Sequence, residues 1–114
     1  MIKNKVVLVP FPYDDLSAVK LRPALCLTDY IGSHRHVVLA YITSQVSSIP
    51  LATDVVLDNN HPEFGDLGLR AASTVQLHRL VTVRSTFMRR ELGVLPASFE
   101  VEVAAKLRGL FELS

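Results

Sequence analysis

The sequence has one cysteine and no tryptophan, and it has neither a long apolar run nor a surplus of charge. Each shortage excludes something. A lone Cys26 forms no intrachain disulfide. Set in the apolar stretch Ala24-Leu25-Cys26-Leu27, it reads as a small buried hydrophobe and not a nucleophile, which suits a reducing, cytoplasmic compartment. No apolar segment approaches the ~20 residues of a membrane-spanning helix, and no basic-then-apolar leader opens the chain. The formal net charge is +1, too little for a protein that grips duplex nucleic acid through many phosphates. It leaves room for a short single strand held locally by Lys20, Arg22, Arg35, Arg79 and Arg84, although scattered basic residues describe a solvated surface equally well. No glycine-rich phosphate loop precedes a helix, and Ser44 has no nucleophile-elbow context. His34 and His36 alternate as strand metal ligands would, but no nearby cysteine or carboxylate completes a set. Neither a metal nor a cofactor is expected.

What the chain does have is a core. Its 114 residues, 49% of them hydrophobic, suit a single domain spanning residues 1–114. Short Val-rich runs at residues 6–9, 24–27, 37–42, 55–57, 75–77 and 80–83 are separated by turn residues, and none shows the helical period. Several short strands with frequent turns predict a small barrel or sandwich. Ile31-Gly32-Ser33 marks the hairpin between the second and third strands. Near the C-terminus the period changes. Phe99, Val103, Leu107, Leu110 and Phe111 form a stripe of helical spacing, with Ser98 as a capping residue and Glu100 and Glu102 near the positive end of the helix dipole. Between them, residues 85–93 read either as a helical turn begun by Ser85 or as a final strand.

The chemistry gathers in the first quarter, VVLVPFPYDDLSAVKLRPALCLT. Pro10 and Pro12 lack the N–H that a ladder needs and are expected to end the first strand. Arg22-Pro23 is expected to open the second, because Pro23 pushes Arg22 to extended geometry. A guanidinium at the mouth of a strand, beside a polar loop, is a good place for an anion. Arg22 is equally able to pair with Asp14 or Asp15 across its own loop. Phe11 and Tyr13 offer faces on which bases can stack, and Phe11 would serve as well to close the barrel end.

Four blocks in register, Val7-x-Val9-Pro10-Phe11-Pro12, Arg22-Pro23-Ala24-Leu25, Ile42-Thr43-Ser44-Gln45, and Ser73-Thr74-Val75-Gln76-Leu77-His78-Arg79-Leu80, resemble the MazF/PemK family of toxin endoribonucleases over nearly the whole chain. The resemblance implies a mainly β fold, a small SH3-like β-barrel with a C-terminal α-helix, assembled as a homodimer. It implies metal-independent cleavage of single-stranded mRNA to a 2′,3′-cyclic phosphate and a 5′-hydroxyl, and a cognate antitoxin whose acidic tail fills the same groove. In that reading Arg22 meets the phosphorane, since its fork matches two phosphate oxygens, and Thr43 assists it. Phe11, Asp14, Lys20, Ser44, Gln45, Gln76 and Arg79 contact RNA. On the fourth block this sequence departs from its relatives, which carry an Arg and an Asp where Gln76 and His78 stand. Residues two apart on a strand share a face, so both are expected to line one groove. His78, with a reference pKa of about 6.5, is the candidate general base; an exposed histidine on an edge strand is the alternative. Two other functions stay open. A gyrase poison on the same fold would use a tryptophan near the chain end, which is missing here, and a catalytically inactive binding relative would be consistent with Gln76.

Overall fold

The computed structural model describes residues 1–12 and 19–114. Among these residues six strands follow one another as β1 (Lys5–Pro12), β2 (Val19–Cys26), β3 (His36–Thr43), β4 (Asp54–Leu57), β5 (Ser73–Arg84) and β6 (Arg90–Val94), and the helix α1 (Ala97–Leu110) comes after them. All pairings are antiparallel, in the order β4-β5-β3-β2-β1-β6. The sheet curls into the half-barrel form of the expected fold, with the helix packed against it. Among the described residues no helix is long and apolar enough to cross a membrane.

The uninterrupted apolar runs have a simple cause: the central strands bury both faces. Val6, Leu25, Ala40 and Ile42 point to one core, which Phe99 and Val103 of α1 complete. Their neighbours Val7, Ala24, Cys26 and Leu39 point to a second, closed by Val81 and Val83 of β5 and by Met88. Cys26 is fully buried. Burial, and then the Glu91 charge, push its thiol up to about 12, so it carries no thiolate chemistry.

Several boundaries differ from expectation. β1 runs through Pro10 to Pro12, and β2 begins at Val19, so Arg22 and Pro23 stand inside a strand. β6 reaches β1 only as far as Leu8, and β3 reaches β2 only from Ala24 on. Pro10, Pro12 and Pro23 therefore lie where each strand has one neighbour, as at a sheet edge, and a missing N–H is tolerated there. The runs at 75–77 and 80–83 are one bent strand, β5. Residues 85–93 hold both alternatives, a 3₁₀ turn at Ser85–Phe87 and then β6. Ser98 does not cap α1. Pro96 holds the N-cap position with no side-chain cap, and the Ser98 hydroxyl instead donates to Glu63 Oε1 at 3.4 Å. Glu100 lies in the first turn, whereas Glu102 lies beyond it and pairs with Lys106 at 2.8 Å. The hairpin at Gly32 is as expected, with Ile31 bridging His36 and Gly32 at φ 75°.

Two glycines dock the long β4–β5 connection on the sheet. A Cβ at Gly93 would stand 2.2 Å from the Asp66 carbonyl oxygen, and one at Gly68, whose φ is 70°, would stand 1.9 Å from the Leu92 carbonyl oxygen. Leu67, fully buried, is the anchor of that connection.

Candidate active site

The site forms where the sheet's ladder opens. β2 and β3 pair for only three positions, ending at Ala24↔Tyr41. Arg22 and Thr43 are each two residues further along, so they keep the face of Ala24 and Tyr41 while their backbones no longer bond each other. Gln76 of β5 is opposite Tyr41, and directly opposed residues present side chains to the same face. The result is a cavity of about 210 Å³ lined by Arg22, Tyr41, Ile42, Thr43, Ser44, Gln45, Gln76 and Arg79. Two guanidinium groups and no carboxylate line it among the described residues.

A bulge in β5 supplies the second guanidinium. The β3–β5 register jumps from Ala40↔Leu80 to Tyr41↔Gln76, so three residues of β5 have no partner on β3. At such an irregularity the two-residue alternation fails. Arg79, three residues after Gln76, comes back to it: its Nη1 donates to Gln76 Oε1 at 3.3 Å, and its guanidinium carbon lies 5.6 Å from the Tyr41 ring centroid. His78 does not join them. It is exposed, its Nδ1 is 3.2 Å from Thr53 Oγ1, and it does not line the cavity. The bend brings Arg79, rather than His78, to Gln76 at this cavity.

The remaining expected residues divide cleanly. Thr43 is half-buried, and its Oγ1 accepts from the Gln45 N–H at 3.2 Å, which fixes the turn. The hydroxyl keeps its own hydrogen to donate. Ser44 and Gln45 line the cavity from the exposed turn. Phe11 and Lys20 are register partners at the end of the β1–β2 ladder nearest the connecting segment; Asp14, Asp15 and Tyr13 lie outside the described residues. Arg35 and Arg84 are at the other end of β3, where Arg84 opposes His36 and the Arg35 guanidinium stacks 3.9 Å over the Tyr30 ring. Tyr41 is a cavity residue that sequence reasoning passes over, although its place two residues before Thr43 on a strand is an available signal. Among the described residues no cluster of three or more His, Cys, Asp or Glu could hold a metal ion.

The model of the PemK-like, MazF-like toxins of type II toxin–antitoxin systems matches residues 3–111. The chain belongs to this family. Solved structures similar to this MazF/PemK-family chain include the Mycobacterium tuberculosis toxin MazF-mt6, at 27% identity over 95% of this chain and 98% of that one, with a TM-score of 0.68. The MazE–MazF structure from Deinococcus radiodurans (24% identity, 100% and 97% covered, TM-score 0.76) shares the fold. So does an endoribonuclease in complex with its cognate antitoxin from a mycobacterial species (15%, 100% and 97%, TM-score 0.71). No curated protein matches the chain. The family match spans every residue of the cavity.

Proposed function

We propose that this MazF/PemK-family chain is the toxin of a type II pair and an endoribonuclease that cuts single-stranded mRNA at the Arg22 cavity. One observation carries the reading: three of the four separated blocks of the family pattern deliver Arg22, Thr43, Gln76 and Arg79 to one cavity, with no carboxylate lining it among the described residues. In the reaction the ribose 2′-oxygen forms a bond to phosphorus as its proton leaves. The 5′-oxygen bond then breaks, and that oxygen takes a proton. The products are a 2′,3′-cyclic phosphate and a 5′-hydroxyl. Arg22 and Arg79 stabilise the charge that grows on the phosphorane, a contribution preorganised donors make without reorganising during the step. Thr43 donates to a non-bridging oxygen, and Gln76 orients Arg79. The proton transfers run through water.

The toxin acts as a homodimer in the cytoplasm, and its antitoxin presents an acidic tail, because a cavity that accepts phosphate also accepts carboxylate. Two similar structures, the Deinococcus MazE–MazF and the mycobacterial endoribonuclease with its cognate antitoxin, support a protein partner of this kind.

The test is direct. Purified protein incubated with RNA in excess chelator should leave cyclic phosphate and 5′-hydroxyl ends; a requirement for added divalent ion, or 5′-phosphate ends, would sink this chemistry. His78 separates charge stabilisation from acid–base catalysis. His78→Ala should keep cleavage within about threefold of the parent. A loss of about a hundredfold in a folded variant would make His78 the base.

A further inference from the structure

A second cavity, about 460 Å³ against about 210 Å³ for the first, adjoins it and shares Arg22, Ile42 and Ser44 with it. Leu8 of β1, Leu21 of β2 and Leu92 of β6 give it an apolar lining. Its rim carries Arg70, from the connection before β5, and Arg90, at the start of β6; both are exposed. No Asp or Glu lines it among the described residues. These side chains meet because Gly68 and Gly93 allow the connection to lie against β6 at backbone distance.

The combination is chemically specific. An apolar lining offers a nucleobase a place to leave water, and two exposed guanidinium groups suit a phosphate. Continuity through Arg22 means that a strand with its scissile phosphate in the first cavity runs straight into the second. The geometry points to Arg70 and Arg90 as the residues that hold the phosphodiester next to the scissile one, with the adjoining base on Leu8, Leu21 and Leu92. This rests on the endoribonuclease reading for its substrate class and adds a subsite that determines affinity for longer RNA.

Binding of 2′-O-methyl oligoribonucleotides tests it, because a blocked 2′-oxygen prevents cleavage and the readout does not depend on turnover. The double variant R70A/R90A should bind a single strand several nucleotides long about tenfold more weakly than the parent. Its slope of log affinity against log salt should shrink by about 0.7, since one neutralised single-strand phosphate accounts for about that much. A dinucleotide, too short to reach the second cavity, should bind both proteins alike. R70K/R90K should retain most of the salt slope, since the charges remain, which a merely structural role would not produce. Equal affinity and slope for parent and double alanine variant on the longer strand would overturn the subsite. An equal loss on strand and dinucleotide would overturn it too, and so would a loss confined to an acidic peptide. If the parent protein shows the expected binding pattern and yet cuts no RNA in chelator, the endoribonuclease reading fails while the subsite stands.

Discussion

Replacing Arg22 with alanine is expected to slow RNA cleavage about a hundred- to a thousandfold, equivalent to roughly 2.7–4 kcal/mol of lost transition-state stabilisation. The reason is where the charge develops. In the proposed reaction Arg22 meets a phosphodiester that carries one negative charge in the ground state and more in the phosphorane, so its interaction would strengthen along the reaction and contribute to rate beyond affinity. Affinity for a 2′-O-methyl strand should therefore fall much less than the rate. Arg22→Lys should recover little, because an ammonium keeps the charge and loses the fork. Thr43→Ala should be milder, at about tenfold or less, since a neutral hydrogen bond contributes about 0.5–1.5 kcal/mol. Arg22 is half-buried on a stretch of β2 that pairs with β1 alone, so the alanine variant should fold and melt close to the parent. A folded Arg22→Ala variant that cuts within about threefold of the parent would remove Arg22 from the chemistry. A variant that loses activity only in proportion to its folded fraction would make Arg22 a structural residue.

Much of this cavity's lining was legible in the sequence because the family pattern carries its residues. Arg22, Thr43, Ser44, Gln45, Gln76 and Arg79 each sit where an apolar run meets polar residues, and the family pattern orders those runs. What escaped was whatever depends on how strands end or bend. Pro10, Pro12 and Pro23 read as strand breakers, yet they fall in portions of β1 and β2 with a single neighbour, and letters do not reveal which stretch of a strand has lost its second partner. Period-two reasoning put His78 beside Gln76. The unpaired stretch of β5 put Arg79 there instead, and nothing in Leu77-His78-Arg79-Leu80 announces a bulge to an eye tuned to alternation. Ser98 looked like a cap by residue type, but the chain enters α1 earlier, from Pro96. The second cavity was the least legible part. Arg70 and Arg90 are distant in sequence and meet only through glycine contacts, which leave no hydrophobic signature.

Those glycine contacts make the second large effect one of stability. Gly93→Ala should lower the melting temperature sharply. The added Cβ would approach the Asp66 carbonyl oxygen to 2.2 Å and the Leu67 carbonyl carbon to 2.4 Å. Both are backbone atoms of a segment anchored by buried Leu67, and unlike the tip of a flexible side chain they cannot turn aside. Overpacking of this kind costs about 1–3 kcal/mol or more, and for a domain near this size each kcal/mol lowers the midpoint by about 4–8 °C. Gly68→Ala should cost more. Its Cβ would meet the Leu92 carbonyl oxygen at 1.9 Å, and its φ of 70° adds left-handed strain worth about 1–3 kcal/mol. Gly109 provides the opposite sign. It lies inside α1 with nothing within 4 Å of a new Cβ, so Gly109→Ala should raise the midpoint by up to the ~1 kcal/mol that separates the two residues in a helix. Thermal melts of these three single variants decide the matter. Were Gly93→Ala to melt with the parent while Gly109→Ala rises, the connection would not be docked on β6 by backbone contact, and the cavity that Arg70 and Arg90 share would lose its support.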